Sequence, residues 1–273
     1  MSLNLDARQR AMLQEMGVRV WQPVTPMGRI DDAPPSPPQG GEAALPAARV
    51  AVARPATTVA ESALAAVRAL PAGIAGMDWA ALQQAVDACQ ACGLCKSRTN
   101  TVFGVGDTAA RWLVVGEAPG ENEDLQGEPF VGQAGRLLDN MLRAVGLDRT
   151  ATGEQGVYIA NVLKCRPPAN RNPGPEEVLQ CESFLRRQVE LLQPRIILAL
   201  GRFAAQSLLQ ASVPDVAAIP LGKLRGQVHA YQGVPVIVSY HPAYLLRTPQ
   251  DKAKAWADLC LALDVMRRVG AAG

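Results

Sequence analysis

Four of the six cysteines have a spacing suited to metal binding: the C-x2-C pair Cys89 and Cys92, followed far downstream by Cys165 and Cys181. Four thiolates can hold a zinc ion or an iron–sulfur cluster, and this spacing does not distinguish the two. The alternative is that the downstream pair are ordinary buried thiols. We favour ligation because Cys165 lies in a Lys-Cys-Arg-Pro segment rather than in an apolar run.

The two remaining cysteines are weaker candidates for metal binding. Cys95 extends the first pair to C-x2-C-x2-C, as in bacterial ferredoxins, but no fourth cysteine completes that run locally. Cys260 lies among leucines in a helical segment and is interpreted as a core residue.

Two polar residues, Asn161 and His241, each follow a predicted strand. An asparagine side chain carries donors and an acceptor, which suits recognition of a base edge. A histidine at a strand end can donate a hydrogen bond to developing negative charge. The alternatives are a turn-forming asparagine and a structural histidine.

Two glycine-rich loops are candidates for close contact with a ligand. The turn at 116–121 (GEAPGE) lacks the phosphate-binding fingerprints, but its glycines let the backbone approach a bound molecule. Phe130 lies in the loop at 127–135 (GEPFVGQAG), where it either stacks on a flat ring or fills the core.

The elements that must position these residues alternate between strand and helix. Buried strands are predicted at 111–116, 157–161, 195–200 and 234–239, and the longer helices at 78–88, 133–145, 176–192, 202–210 and 251–269. This alternation predicts a parallel sheet covered on both faces. Ligands of such sheets bind beyond the carboxyl ends of the strands, where Asn161 and His241 fall.

The chain before residue 77 has a different composition. Residues 23–76 are rich in proline and alanine and predict a disordered linker, and residues 1–22 contain a short helical pattern. A short amphipathic segment on a tether is typical of a docking peptide, although the pattern alone favours a frayed terminus. We therefore predict a single folded domain over 77–273.

Composition excludes several classes of protein. The chain is 48% hydrophobic, which excludes a wholly disordered protein, and its net charge of +2 excludes a histone-like coat of positive charge. It has no apolar stretch long enough to span a membrane and no secretory signal pattern. We expect a cytoplasmic protein in which clustered cysteines bind metal rather than form disulfides.

Taken together, these motifs resemble the type 4 uracil-DNA glycosylases, the iron–sulfur branch of their superfamily. The matching segments are in family order and span residues 85–268: 89–92 (CQAC), 98–100 (RTN), 115–124 (VGEAPGENED), 127–135, 158–168 (YIANVLKCRPP), 170–171 (NR), Cys181 and 241–247 (HPAYLLR). The resemblance implies a three-layer α/β/α fold with a four-stranded parallel sheet. It implies a [4Fe–4S] cluster held by Cys89, Cys92, Cys165 and Cys181, with Cys95 left out.

The activity implied by the resemblance is hydrolysis of the N-glycosidic bond of uracil in DNA, the first step of base excision repair. The base must leave the stack to be reached. Phe130 would then stack on uracil, Asn161 would pair with its Watson–Crick edge, and His241 would stabilise the departing uracil anion.

Further roles follow from the resemblance at the loop after the first strand. Glu117 is assigned to positioning water or acting as a base. Ala118 and Gly120 stand where other branches of the superfamily have an aspartate and a tyrosine. Glu123 is expected to take over the exclusion of thymine.

The expected partner is uracil-containing DNA. Arg166, Arg171 and Arg247 are assigned to the DNA backbone, and Leu245, with Tyr244 or Leu246, to an apolar wedge in the duplex. We expect a monomer, with no membrane contact, in the bacterial cytosol at the nucleoid. Residues 13–21 resemble the N-terminal peptide of the psi subunit of bacterial DNA polymerase III, which implies docking of residues 5–22 on the clamp loader.

Two other functions remain open from the sequence. One is a non-catalytic or covalent uracil-DNA binder, although the covalent branch uses a histidine-containing loop and residues 165–175 contain no histidine. The other is an iron–sulfur redox or sensor protein, which needs neither Asn161 nor His241.

Overall fold

The computed structural model describes residues 70–271. Its strands, in chain order, are β1 (Val105–Gly106), β2 (Trp112–Gly116), β3 (Val157–Asn161), β4 (Ile196–Leu200), β5 (Val228–Tyr231) and β6 (Val234–Ser239). Its α-helices are α1 (Trp79–Asp87), α2 (Glu121–Gln126), α3 (Gln133–Ala144), α4 (Pro175–Leu192), α5 (Arg202–Leu209), α6 (Leu221–Leu224), α7 (Pro242–Arg247) and α8 (Lys252–Ala271).

The strands form one mixed sheet in the order β1-β3-β2-β4-β6-β5. The four central strands are parallel and are the four that the sequence predicts, with β2 and β4 each beginning one residue later. The edge strands β1 and β5 are antiparallel to their neighbours and were not predicted. β1 has only two residues, and β5 alternates between exposed and half-buried positions, so neither has a buried apolar run.

Helices cover both faces of the sheet, which confirms the three-layer α/β/α architecture. Alternate residues of each strand point to opposite faces: Val114 and Ile159 contribute to one apolar cluster, and Leu113 and Val115 to the other. The first cluster includes residues of α3, α7 and α8, and the second includes residues of α4 and α5. The sheet is therefore buried, and its carboxyl edge is left for a ligand.

The five longer helices appear where the sequence predicts them, within one or two residues at each end. α1 begins after Asp78, whose side chain accepts a hydrogen bond of 2.8 Å from the N–H of Ala81. α1 packs on α4 in a third apolar cluster that also includes Ile74. The folded domain therefore begins before the predicted boundary at Met77.

The predicted docking peptide and most of the predicted linker, residues 1–69, lie outside the described residues. Among residues 70–271, no helix combines the length and apolar character needed to cross a lipid bilayer.

Candidate active site and cysteine cavity

The carboxyl ends of the parallel strands bring the predicted base-binding residues together. β2 ends at Gly116 directly opposite Asn161, the last residue of β3. β6 ends at Ser239, two residues before His241. The register of the sheet therefore places residues that are distant in the sequence at one edge.

Asn161 is buried, with 2% of its surface exposed, and its Oδ1 atom has no hydrogen-bond partner. An acceptor in a buried position is costly unless a ligand or a water molecule satisfies it. The amide lies against Gly116, where a Cβ atom would stand 2.4 Å from Oδ1 and 2.5 Å from Cζ of Phe130. Only glycine leaves room at this position for both side chains.

Phe130 is held in an unusual conformation beside this amide. Its backbone φ is 57°, in the left-handed region that non-glycine residues rarely adopt. Arg149 fixes the loop by donating to the carbonyl oxygens of Pro129 and Phe130, each at 3.0 Å, and pairs with Asp139 at 2.6 Å. The aromatic ring belongs to the core, as one of the two predicted alternatives has it, and it also stacks on His241 with centroids 5.4 Å apart. Stacking of Phe130 on a ligand stays a prediction.

His241 caps α7, and this cap defines its tautomer. Its Nδ1 atom accepts a hydrogen bond of 3.2 Å from the N–H of Ala243. The proton of the neutral ring therefore lies on Nε2, which is available as a donor. Burial, followed by the positive charge of Arg247, lowers the pKa of His241 from 6.5 to about 4, so the ring is neutral near pH 7.

Two carboxylates follow β2 and have different environments. Burial raises the pKa of Glu117, and the positive charge of Arg202 opposes that rise. Glu123 accepts hydrogen bonds from the main-chain N–H groups of Gly120 at 3.1 Å, Val131 at 3.0 Å and Gly132 at 3.3 Å. Glu123 thereby ties the loop after β2 to the loop that carries Phe130.

The residues assigned to DNA contact are distributed less simply. Leu245 is fully buried in the core and cannot serve as a wedge in this conformation, because the short helix α7 turns it toward the sheet. Its neighbour Leu246 is 41% exposed. Arg171 is paired with Glu177 through contacts of 2.9 and 2.5 Å. Arg166 lies 3.7 Å from Glu121.

A second candidate site, lined by cysteines, lies near the carboxyl edge of the sheet. A small cavity is lined by Arg98, Lys164, Gln180, three apolar side chains and five cysteines: Cys89, Cys92, Cys95, Cys165 and Cys181. Burial raises the pKa of the Cys181 thiol to about 12 and also raises that of Cys165. Charge repulsion from Cys92 adds to the rise at both Cys165 and Cys181, so a cation is needed to hold them as thiolates.

The cysteine thiols around the cavity are donors of the kind that hold a zinc ion or an iron–sulfur cluster. Among residues 70–271, no three histidine, cysteine or acidic side chains are close enough to hold one metal ion. A zinc ion draws its four sulfurs to about 2.3 Å from one centre. A cluster gives each thiolate its own iron, so its ligands surround a cavity instead.

Three residues of this region were missed by the sequence reasoning. Arg98 donates to Sγ of Cys165 at 3.0 Å and to the carbonyl oxygen of Asp87 at 2.8 Å. Asp124 is buried and accepts from the N–H groups of Thr99 and Asn100, which explains the RTN segment. Lys164 is buried between the cavity and β3. All three residues lie in the segments that carry the family resemblance, at 98–100, 115–124 and 158–168. That resemblance was their one signal in the sequence.

Comparison with known proteins agrees with this geometry. A family model described as the uracil DNA glycosylase superfamily matches residues 103–260. The chain belongs to this superfamily.

Curated relatives identify the branch. The chain is 48% identical over 174 residues to the type-4 uracil-DNA glycosylase of Archaeoglobus fulgidus, an alignment that covers 62% of this chain and 84% of the relative. It is 42% identical over 174 residues to the type-4 enzyme of Thermotoga maritima, covering 63% and 85%. A type-5 enzyme of Pyrobaculum aerophilum is 37% identical over 150 residues, covering 51% and 64%. Within the superfamily, the chain belongs to the type-4 branch.

Proposed function

We propose that this protein is a DNA repair enzyme that hydrolyses the N-glycosidic bond of uracil in DNA and leaves an abasic site. The observation that carries this proposal is the buried, unpartnered Oδ1 of Asn161, which lies against the ring of Phe130 beside a neutral histidine. The type-4 uracil-DNA glycosylases among the relatives support the same reaction.

Recognition of uracil is assigned to Asn161 and Phe130. Uracil presents an N–H donor next to a carbonyl acceptor, which the amide of Asn161 matches through its oxygen and its NH2 group. Cytosine presents the opposite pattern at those two positions, so its polar groups would be mispaired with the buried amide. The face of Phe130 supplies a stacking surface for the flipped base.

Catalysis is assigned to His241 and Glu117. As the glycosidic bond breaks, negative charge develops on uracil, and the Nε2–H of His241 donates to it. A neutral histidine suits this role because its ring can donate the hydrogen bond and stay uncharged when the uracil anion leaves. Glu117 positions the attacking water, and its raised pKa reflects the burial that such a site requires. Ala118 and Gly120 line the same loop.

The cofactor proposed for the cavity is a [4Fe–4S] cluster held by Cys89, Cys92, Cys165 and Cys181. Its contribution is structural, because it joins the segment before β1 to the loop after β3 and to α4. Arg98 stabilises the thiolate of Cys165 through its hydrogen bond. Cys95 is not assigned as a ligand.

Contact with DNA is assigned to Arg166, Arg171 and Arg247, with an apolar wedge from α7. The exposed side chain of Leu246 is better suited to that wedge than buried Leu245. Arg171 must exchange its pairing with Glu177 for a phosphate, or share it.

The test is release of free uracil over several turnovers from a duplex containing one uracil, with a thymine duplex as the matched substrate control. His241→Ala, purified in parallel, reports contaminating activity. Repeated release by the wild type alone supports the proposal. Tight binding without release would favour a non-catalytic binder, and a DNA adduct stable in denaturant would favour a covalent one.

A docking role for the N-terminal segment is proposed separately. Residues 5–22 would bind the clamp loader, and the linker would raise the local concentration of the enzyme at the replisome. Deletion of residues 1–25 should leave uracil release unchanged and abolish co-purification with the clamp loader. Absence of binding by the full-length protein would refute this role.

A further inference from the structure

Lys164 is among the most completely buried side chains of the protein, with 1% of its surface exposed. Burying an ammonium group costs free energy unless hydrogen bonds or opposite charges compensate. Its position, three residues after Asn161 and directly before Cys165, places it between the base-reading amide and the cysteine cavity.

The ammonium group of Lys164 holds the strand end that presents Asn161. Its Nζ atom donates 2.8 Å to the main-chain oxygen of Asn161 and 2.6 Å to Oε1 of Gln188. Gln188 is itself buried and donates 3.0 Å to the carbonyl oxygen of Phe103. Two short hydrogen bonds from one buried amine are directional, so they fix the peptide from which the Asn161 side chain projects.

The main chain of Lys164 is bound on the other side. Its carbonyl oxygen accepts a hydrogen bond of 2.8 Å from the N–H of Val102, and the residue lines the cavity together with Cys165 and Cys181. One residue therefore belongs to the wall of the cysteine cavity and holds the end of β3 through its side chain.

We propose that Lys164 is a positioning residue for uracil recognition, through which the cysteine cavity fixes the orientation of Asn161. This inference rests on the proposed function, because it concerns the same amide. It gives the cavity a role in base recognition in addition to holding the domain together.

The test compares Lys164→Met, which removes the ammonium but keeps the length and volume, with wild type as the full chain. Leu209→Ala is the matched control, because it truncates a buried side chain at the end of α5 that does not line the cavity. Three quantities are measured: iron per chain, the single-turnover rate of uracil release at saturating duplex, and the affinity for free uracil by calorimetry.

A positioning role predicts that folded, iron-loaded Lys164→Met releases uracil about tenfold to a hundredfold more slowly and binds free uracil more weakly. Leu209→Ala should melt at a lower temperature but keep the wild-type rate. A loaded Lys164→Met with wild-type rate and uracil affinity would overturn the inference, since a merely structural lysine changes stability alone.

If Lys164→Met does not fold or does not bind iron, Gln188→Leu is the deciding variant. It removes the second hydrogen-bond acceptor of the Lys164 side chain and leaves Lys164 in place. A reduced rate in loaded Gln188→Leu supports the inference, and a wild-type rate overturns it. Failure of the proposed function is distinguishable, since wild type would then release no uracil in the same assay.

Discussion

The carboxyl edge of the sheet, with Gly116, Phe130 and Asn161, lies near the cysteine cavity. The residues of these two regions are held in place by different means. At the edge, Gly116, Phe130 and Asn161 are positioned by strand register, a left-handed backbone and a glycine without a side chain. In the cavity, Cys165 and Cys181 are brought together as buried thiols whose pKa values are raised.

This difference shows which part of the site is preorganised by the chain and which part depends on a bound group. The edge holds one buried acceptor that has no hydrogen-bond partner, the Oδ1 of Asn161, between Gly116 and Phe130. The cavity gathers mutually repelling groups that an iron–sulfur cluster would neutralise. Substitutions at the edge should therefore impair the reaction but not cofactor content, and substitutions in the cavity should lower cofactor content first.

The largest effect on the reaction is expected for Asn161→Ala. Loss of the amide removes the complementary contacts to uracil, and we expect uracil release to fall by about a hundredfold to a thousandfold. Iron content should not change. Single-turnover kinetics measure the rate, and absorbance with iron analysis measures the cofactor. Asn140→Ala, on α3, is the matched control and should remain active.

The next largest effect is expected for Cys181→Ser, and the quantity that it should change is the iron bound in the cavity. Because a buried hydroxyl is a poor substitute for a thiolate ligand, iron per chain should fall to a small fraction of the wild-type value. Cys95→Ser and Cys260→Ser are the controls and should keep their iron. Full iron loading in Cys181→Ser would show that our ligand assignment is wrong.

A smaller effect, again confined to the edge, is expected for Gly116→Ala. The added Cβ would lie 2.4 Å from Asn161 and 2.5 Å from Phe130, so both side chains must move. We expect a rate about tenfold to a hundredfold lower, with wild-type iron content. Gly76→Ala is the control, since a Cβ there meets no atom within 4 Å. An unchanged rate would mean that the side chains of Asn161 and Phe130 accommodate the added methyl group without loss of function.

The smallest effect concerns the stability of the edge in acid. The pKa of His241 is about 4 in the folded protein and 6.5 as a free side chain, so the unfolded state binds more protons between these values. This residue therefore contributes to a fall in stability as the pH drops from 6.5 to 4. We expect His241→Asn to reduce that fall by roughly 1–3 kcal/mol. Denaturant unfolding of both proteins at pH 7 and pH 4.5 measures the difference, and identical pH dependence would contradict the assignment.

The sequence predicted the parts of the fold that have strong local signals. The four central strands are largely apolar runs, the longer helices have amphipathic patterns, and α1 begins after a clear cap at Asp78. The short edge strands have no such signal and become strands only by pairing with β3 and β6. Which of Leu245 and Leu246 faces solvent depends on how α7 docks, which the local pattern does not reveal.

The candidate site was predictable to a similar extent. Asn161 and His241 stand out as polar residues after apolar strands, and the cysteines stand out by spacing. The contacts of Arg98 and Lys164 were not predictable, because charged residues are usually solvated and these two are placed by tertiary packing. Glu123 was expected to contact substrate, yet its carboxylate binds three main-chain N–H groups.

The pairing of Gly116 with Asn161 has a consequence for how activity arises during folding. In a strand, a shift of one residue turns every side chain to the opposite face. A chain that closed its sheet one residue out of register would point the Asn161 amide away from Phe130 and would lose the base recognition proposed for it. Uracil release is therefore expected to report correct strand register. A chain folded in the wrong register should release no uracil from DNA.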